Sequence, residues 1–213
     1  MNIVAHQLLS YQIPDIQLGN VLGEIVRGKG YQNYPQSIAT GILLHRHIDS
    51  FTDSHPIVKE TTSIFHQSYG KFAPIITDVI YDYFLIKNWH LFWDEDFELF
   101  KKSCYDLVQC TEILFPKKLD TILNSLIEDD WFEKYSTYEG IEWTLHHLTK
   151  KSKFNQSIAD MGNSIKEIYL QEKKIERHFL EFFPQLQIFC KEFIIKLMPE
   201  YDILIQQNNA HRL

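Results

Sequence analysis

Eleven consecutive residues, His45 to His55, carry three histidines, one arginine and two aspartates inside the stretch GILLHRHIDSFTDSHP (41–56). Imidazole and carboxylate side chains can hold a divalent cation, relay a proton or form ion pairs. Their spacing on a helix narrows the choice, because residues three or four apart share a face. Ile38, Ile42, His45 and Asp49 fall within one wedge, whereas His47 falls on the opposite side. His45 and Asp49 therefore continue an apolar face and are expected to point inward, with His47 directed to solvent or a secondary contact. Asp78 and Asp82 repeat the pattern four residues apart, on the face that carries Tyr81, Leu85 and Trp89. Two inward carboxylates repel each other and cost several kcal/mol to bury unless a cation or good hydrogen bonds compensate.

Gly19, Asn20, Gly23, Glu24 and Arg27 gather on one side of an earlier helical stretch, opposite Leu18, Val21, Leu22 and Ile25. Two glycines beside Asn20 and Glu24 imply the close approach of another backbone or of a ligand. His6 sits among apolar neighbours near the start. His6, Glu24, His45, Asp49, Asp78 and Asp82 thus make a candidate set of nitrogen and oxygen ligands without sulfur. Such a set suits Mn²⁺, Mg²⁺, Fe²⁺ or Zn²⁺, and its carboxylates lean towards the harder ions. Structural alternatives stand beside this reading. His45 and Asp49 also make an ordinary i,i+4 pair. Asp49 and Asp53 can cap or pair with Arg46, and Asp78 can complement a helix dipole. His6 alone reads more readily as a hydrogen-bonded core residue. Asp82, mid-helix on the buried face, is the hardest to assign a structural role.

The elements that must position these groups read as helices throughout. Apolar residues recur at helical spacing over residues 2–9, 15–27, 36–52, 56–69, 74–89, 96–115, 117–129, 138–148 and 158–182, with Pro184 interrupting before QLQIFCKEFIIKL (185–197). Asp15 is the expected N-cap of the second helix and Gly28 its stop. No strand-like alternation, repeat or linker appears, so the expectation is a single all-α domain over residues 1–200 and a frayed tail over 201–213. The 213 residues suffice for a full core. The net charge of −7 disfavours sequence-independent binding to nucleic acid or anionic membranes. Three cysteines without a CxxC pair, no leader-like N-terminus and no apolar run of spanning length make the cytoplasm the expected compartment.

At these residues the chain resembles the acyl carrier protein phosphodiesterase (acyl carrier protein hydrolyase) family. The matching pieces are MNIVAH (1–6), GNVLGEIVRG (19–28), GILLHRHIDSFTDSHP (41–56), APIITDVIYDYFLIKNW (73–89) and the late FFP ending at Pro184. Together they extend from Met1 to about residue 195. Two positions depart from the family pattern: Glu24 stands where Asp is common, and Tyr83 where His is common. The resemblance implies an HD-domain-like metal phosphohydrolase architecture and a divalent metal, typically Mn²⁺. It also implies removal of 4′-phosphopantetheine from the serine of holo acyl carrier protein. In that reading His45, Asp49 and Asp82 are the first metal ligands, with His6 and Asp78 next. Glu24 is a ligand or general base, and Arg46, more than Arg27, neutralises a phosphate oxygen. Asp53 or His55 protonates the leaving serine, and Asn20 contacts substrate. Arg27, Lys29, Lys71 and Lys87 form the docking patch for an acidic carrier protein. Two rivals differ in class: a phosphohydrolase of a small phosphoester or nucleotide, and a non-catalytic protein with a structural metal site.

Overall fold

Prolines mark where several helices begin, since a proline in the first turn gives up an N–H that would go unused there. The computed structural model describes residues 3–151 and 160–208. Its helices are α1 Ile3–Leu8, α2 Pro14–Gly23, α3 Gln36–Ser54, α4 Pro56–Tyr69, α5 Ala73–Lys87, α6 Phe97–Cys110, α7 Lys117–Glu128, α8 Trp131–Lys134, α9 Tyr138–Lys151, α10 Ile165–Leu197 and α11 Asp202–Asn208, joined by short 3₁₀ turns. No strand occurs among the described residues. The all-α, single-domain reading holds.

The main core forms around α10. Its Phe179, Phe182 and Phe183 are fully buried against Tyr81 and Phe84 of α5 and Phe92. Each such side chain contributes about 1.5–3 kcal/mol on leaving water. This explains why α10 runs unbroken through Pro184 over its 33 residues, contrary to the expected interruption. Pro184 removes one backbone bond to the Leu180 carbonyl, while the phenylalanines on either side of that turn stay locked in the core.

Three other boundaries differ from the sequence reading. α2 stops at Gly23, with Glu24 as its C-cap, rather than reaching Arg27, and Ile13 rather than Asp15 is its N-cap residue. Asp15 instead accepts a hydrogen bond from the Ser37 hydroxyl at 2.6 Å. α6 ends at Cys110 because Thr111 turns extended. Of the tail expected to fray over 201–213, the described part forms α11, Asp202–Asn208, which buries Ile205 completely in the main core, and residues 209–213 lie outside the described residues. The expected helix start at Ile158 lies outside the described residues.

A smaller apolar cluster joins Leu18, Val21 and Leu22 of α2 to Ile38 and Ile42 of α3 and to Leu119 and Leu123 of α7. Here α2 and α3 touch backbone to backbone. A Cβ on Gly19 would collide with the Ile38 carbonyl oxygen, and one on Gly41 with the Ile16 carbonyl oxygen. The sequence asked what comes close to the glycines of α2, and the answer is the backbone of α3. This crossing lays Asn20, one residue past Gly19, against His45, one turn past Gly41.

Candidate metal centre

His45 follows Gly41 by four residues on the face of α3 that meets α2, and its ring occupies the space a side chain at position 23 would need. His6 arrives from α1. The position of α1 is set by Asp82, whose carboxylate accepts the backbone N–H groups of Val4 at 3.0 Å and Ala5 at 3.3 Å. These amides lie at the start of α1 and have no partner within that helix. The two imidazoles end with ring centroids 4.4 Å apart.

Asn20 orients both rings. Its side-chain NH₂ donates to the His6 carbonyl at 2.9 Å and to Ser10 Oγ at 3.1 Å. Its Oδ1 is therefore the atom facing His6 Nδ1 at 2.8 Å and His45 Nδ1 at 3.1 Å. An amide oxygen only accepts, so both Nδ1 atoms carry a proton, and whenever a ring is neutral its Nε2 presents a lone pair. Those lone pairs converge on Asp49: His6 Nε2 lies 3.2 Å from Oδ1, and His45 Nε2 3.4 Å from Oδ2. Burial, and next the neighbouring His6, push the His45 imidazole down to about 3. Burial pushes the Asp49 carboxyl up, but the hydrogen bond and charge of His6, acting when that ring is protonated, hold it down at about 2. A neutral imidazole nitrogen and an ionised carboxylate are both acceptors. Facing each other at this distance they leave room for a shared proton or a bound cation between them. His6, His45 and Asp49 each offer an atom within 4.8 Å of the others, a set of donors that fits a divalent ion of the Mn²⁺, Fe²⁺ or Zn²⁺ kind.

The cluster opens into a cavity of about 600 Å³, within the ~300–1,000 Å³ range of small-molecule sites. Glu24 stands at its mouth, 3.9 Å from His45 Nε2. Asp53 and Asp78 also line it, and both extend into an adjoining mixed cavity of about 290 Å³ with Val58, Lys59, Thr62, His66, Pro74 and Thr77. Burial, and then the charge of Asp78, push the Asp53 carboxyl up. The described residues lining the larger cavity include four carboxylates, Glu24, Asp49, Asp53 and Asp78, and no lysine or arginine. An anion enters such a place only if bound cations offset the carboxylates.

Several expected residues lie elsewhere. Asp82 is fully buried and holds α1, so its contribution to the cluster runs through His6. Burial raises its carboxyl to about 7 even though the two amides favour the charged form. Arg46 donates to the carbonyls of Gly28 at 2.8 Å and Val26 at 2.9 Å, which fastens the chain after α2 and leaves the guanidinium outside the cavity. Asn20, expected to touch substrate, is 1% exposed and its amide is taken up by the two histidines and Ser10. Lys87 pairs with Glu172 at 2.9 Å and Glu176 at 3.1 Å on α10, which cancels its charge as a docking group. Lys71 sits over the Phe72 ring, and neither it nor Arg27 lines either cavity. His55 packs on Phe51 and Phe182. His47 packs on Phe193 of α10 with centroids 4.0 Å apart, the secondary contact its helical phase predicts. Tyr83, the departure from the family pattern, packs tilted against Tyr138 of α9 with ring centroids 4.8 Å apart. The apolar wall that shares the cavity with the cluster, formed by α7, Trp131 and Leu148, was invisible as a site. Its leucines and isoleucine recur at the same spacing as any core face.

Residues 1–186 match the family model described as acyl carrier protein phosphodiesterase. The chain belongs to that family. Among its curated relatives is the acyl carrier protein phosphodiesterase of Escherichia coli O6:H1 (strain CFT073), 29% identical over 188 residues, covering 87% of this chain and 95% of the relative. That of Pectobacterium atrosepticum is 27% identical over 192 residues, covering 90% and 98%. No solved structure matches the chain. No helix among the described residues is long and apolar enough to cross a membrane.

Proposed function

We propose that this protein is a metal-dependent hydrolase that removes 4′-phosphopantetheine from the serine of holo acyl carrier protein, as the names of its relatives indicate for them. The observation that carries the metal dependence is the convergence of two Nε2 lone pairs on an ionised Asp49, fixed by the Asn20 amide. His6, His45 and Asp49 would hold the ion, with Mn²⁺ the first candidate. When bound, it supplies positive charge at the phosphoryl oxygens and lowers the pKa of a water.

The chain's own groups account for the proton traffic. Glu24, exposed at the cavity mouth beside His45, accepts the proton of the attacking water. Asp53 faces the cavity with its carboxyl raised by burial and by Asp78, the direction that favours carrying a proton to the departing serine oxygen. His55, turned into the aromatic contacts of α10, is the poorer donor. Among the described residues the cavity lining offers four carboxylates and no lysine or arginine, which suits a singly charged phosphodiester better than a nucleoside polyphosphate that needs several cationic contacts. Carrier protein incubated with the enzyme and Mn²⁺ should lose the mass of phosphopantetheine. His45→Ala and Asp49→Ala should abolish that loss together with metal binding. An unchanged carrier mass at saturating metal would sink this reading.

A further inference from the structure

One wall of the larger cavity has no part in holding a metal. Ile122 and Leu126 of α7, Trp131 of α8, Leu148 of α9 and Ile3 of α1 line it together with the His6–His45–Asp49 cluster. Ile3, Ile122, Trp131 and Leu148 are half-exposed rather than sealed in the core. Apolar side chains from four different helices thus converge on a space that opens at the reacting centre. The adjoining cavity that shares Asp53 and Asp78 is more mixed, lined by Lys59, Thr62, His66 and Thr77 beside Val58 and Pro74.

A phosphodiester carries two substituents, and here the two sides of the centre differ in chemistry. Resting on the phosphodiesterase reading above, we infer that the apolar compartment binds the released arm of the substrate, with Ile122 and Leu148 as specificity-determining contacts. The pantetheine arm is slim and uncharged, with a gem-dimethyl group next to the phosphate ester. Its entry leaves no charge unpaired against the apolar wall, whereas a peptide bearing ionised side chains would. The carrier's own chain then approaches from the mixed compartment. Each methylene moved from water into such a wall is worth about fourfold in binding, so the contacts near Ile122 should contribute tenfold or more to affinity.

The test uses full-length enzyme with Mn²⁺ and two substrates, holo carrier protein and methyl p-nitrophenyl phosphate, which has no arm. Ile122→Asp and, as a second variant on another helix, Leu148→Gln should each raise KM for holo carrier protein about tenfold. Turnover of the small diester and metal content should stay within twofold. NMR saturation-transfer signals of free pantetheine, present with the parent protein, should vanish with Ile122→Asp. If the parent cleaves holo carrier protein and neither variant changes KM by more than twofold, the subsite is wrong while the activity stands. If both substrates suffer alike, the residues act on the reacting centre and the subsite is again wrong. If the parent leaves carrier protein intact yet binds pantetheine in an Ile122-dependent way, the subsite stands and the activity assignment falls.

Discussion

Replacing Asn20 with alanine isolates the feature on which the metal centre depends. Asn20 makes four polar contacts in a buried setting: acceptor to His6 Nδ1 and His45 Nδ1, donor to the His6 carbonyl and to Ser10 Oγ. Without its oxygen, the two Nδ1–H groups lose their acceptor at a cost of about 1–3 kcal/mol each if they stay as they are. The cheaper outcome is a tautomer change, with the proton moving to Nε2, where Asp49 accepts it at 3.2–3.4 Å. That proton blocks the lone pairs a metal needs, and a metal must displace it before binding. Loss of a hydrogen-bond partner behind a metal-ligating histidine typically costs 10–100-fold in affinity, or about 1.4–2.7 kcal/mol. Two histidines share this partner, so the upper end is expected. Calorimetric titration with Mn²⁺ and Zn²⁺ measures the affinity, and thermal unfolding with and without metal supplies an independent reading. The metal-induced rise in Tm should shrink by several degrees in Asn20→Ala, since stabilisation follows RT ln(1 + [L]/Kd). Ser10→Ala removes one contact to Asn20 and leaves its oxygen in place, so it should cost less than threefold. Metal affinity in Asn20→Ala within threefold of the parent would refute the argument that this amide sets the histidine tautomers.

Asp82→Asn should destabilise the protein by about 3 kcal/mol through its bonds to Val4 and Ala5, lowering Tm by roughly 6–12 °C for a chain of this size. Its effect on the metal should run only through the placement of His6, so an abolished affinity in a variant of near-parental stability would restore Asp82 as a ligand. Gly19→Ala should destabilise by about 1–3 kcal/mol from overpacking against the Ile38 carbonyl, the reverse of the ~1 kcal/mol gain that Gly→Ala gives in an uncrowded helix; chemical denaturation decides the sign. Lys87→Glu should lower stability slightly and leave KM for carrier protein unchanged, because its charge is already balanced by Glu172 and Glu176; a KM rise would return Lys87 to the docking surface. His47→Ala should keep activity within a few-fold and lose some packing against Phe193, whereas His45→Ala should lose most activity, and equal losses would mean that the phase of α3 is misread.

The sequence by itself determined the helices, the inward direction of His45 and Asp49, and the family. Helical periodicity is a local property, and the 100° step per residue decides which side chains share a face before any partner is known. The glycines of α2 likewise announced a close approach, because a missing Cβ is legible wherever it occurs. Tertiary structure decided the rest. Asp82 and Asp49 look alike in sequence, one carboxylate on the apolar face of each helix. They part only when α1 sets its amides against Asp82, so that one carboxylate meets backbone donors and the other meets imidazole lone pairs. Arg46 neighbours His45 in sequence, but its guanidinium follows the chain after α2. Lys87 seemed a free cation until α10, more than eighty residues on, brought Glu172 and Glu176 to it. The persistence of α10 through Pro184 and the burial of Ile205 also come from distant packing, which outweighs the local cost of a proline or a chain end. Periodicity shows that a side chain points inward; only the fold supplies what it meets there, and that partner decides whether a carboxylate holds a helix end or faces two imidazoles.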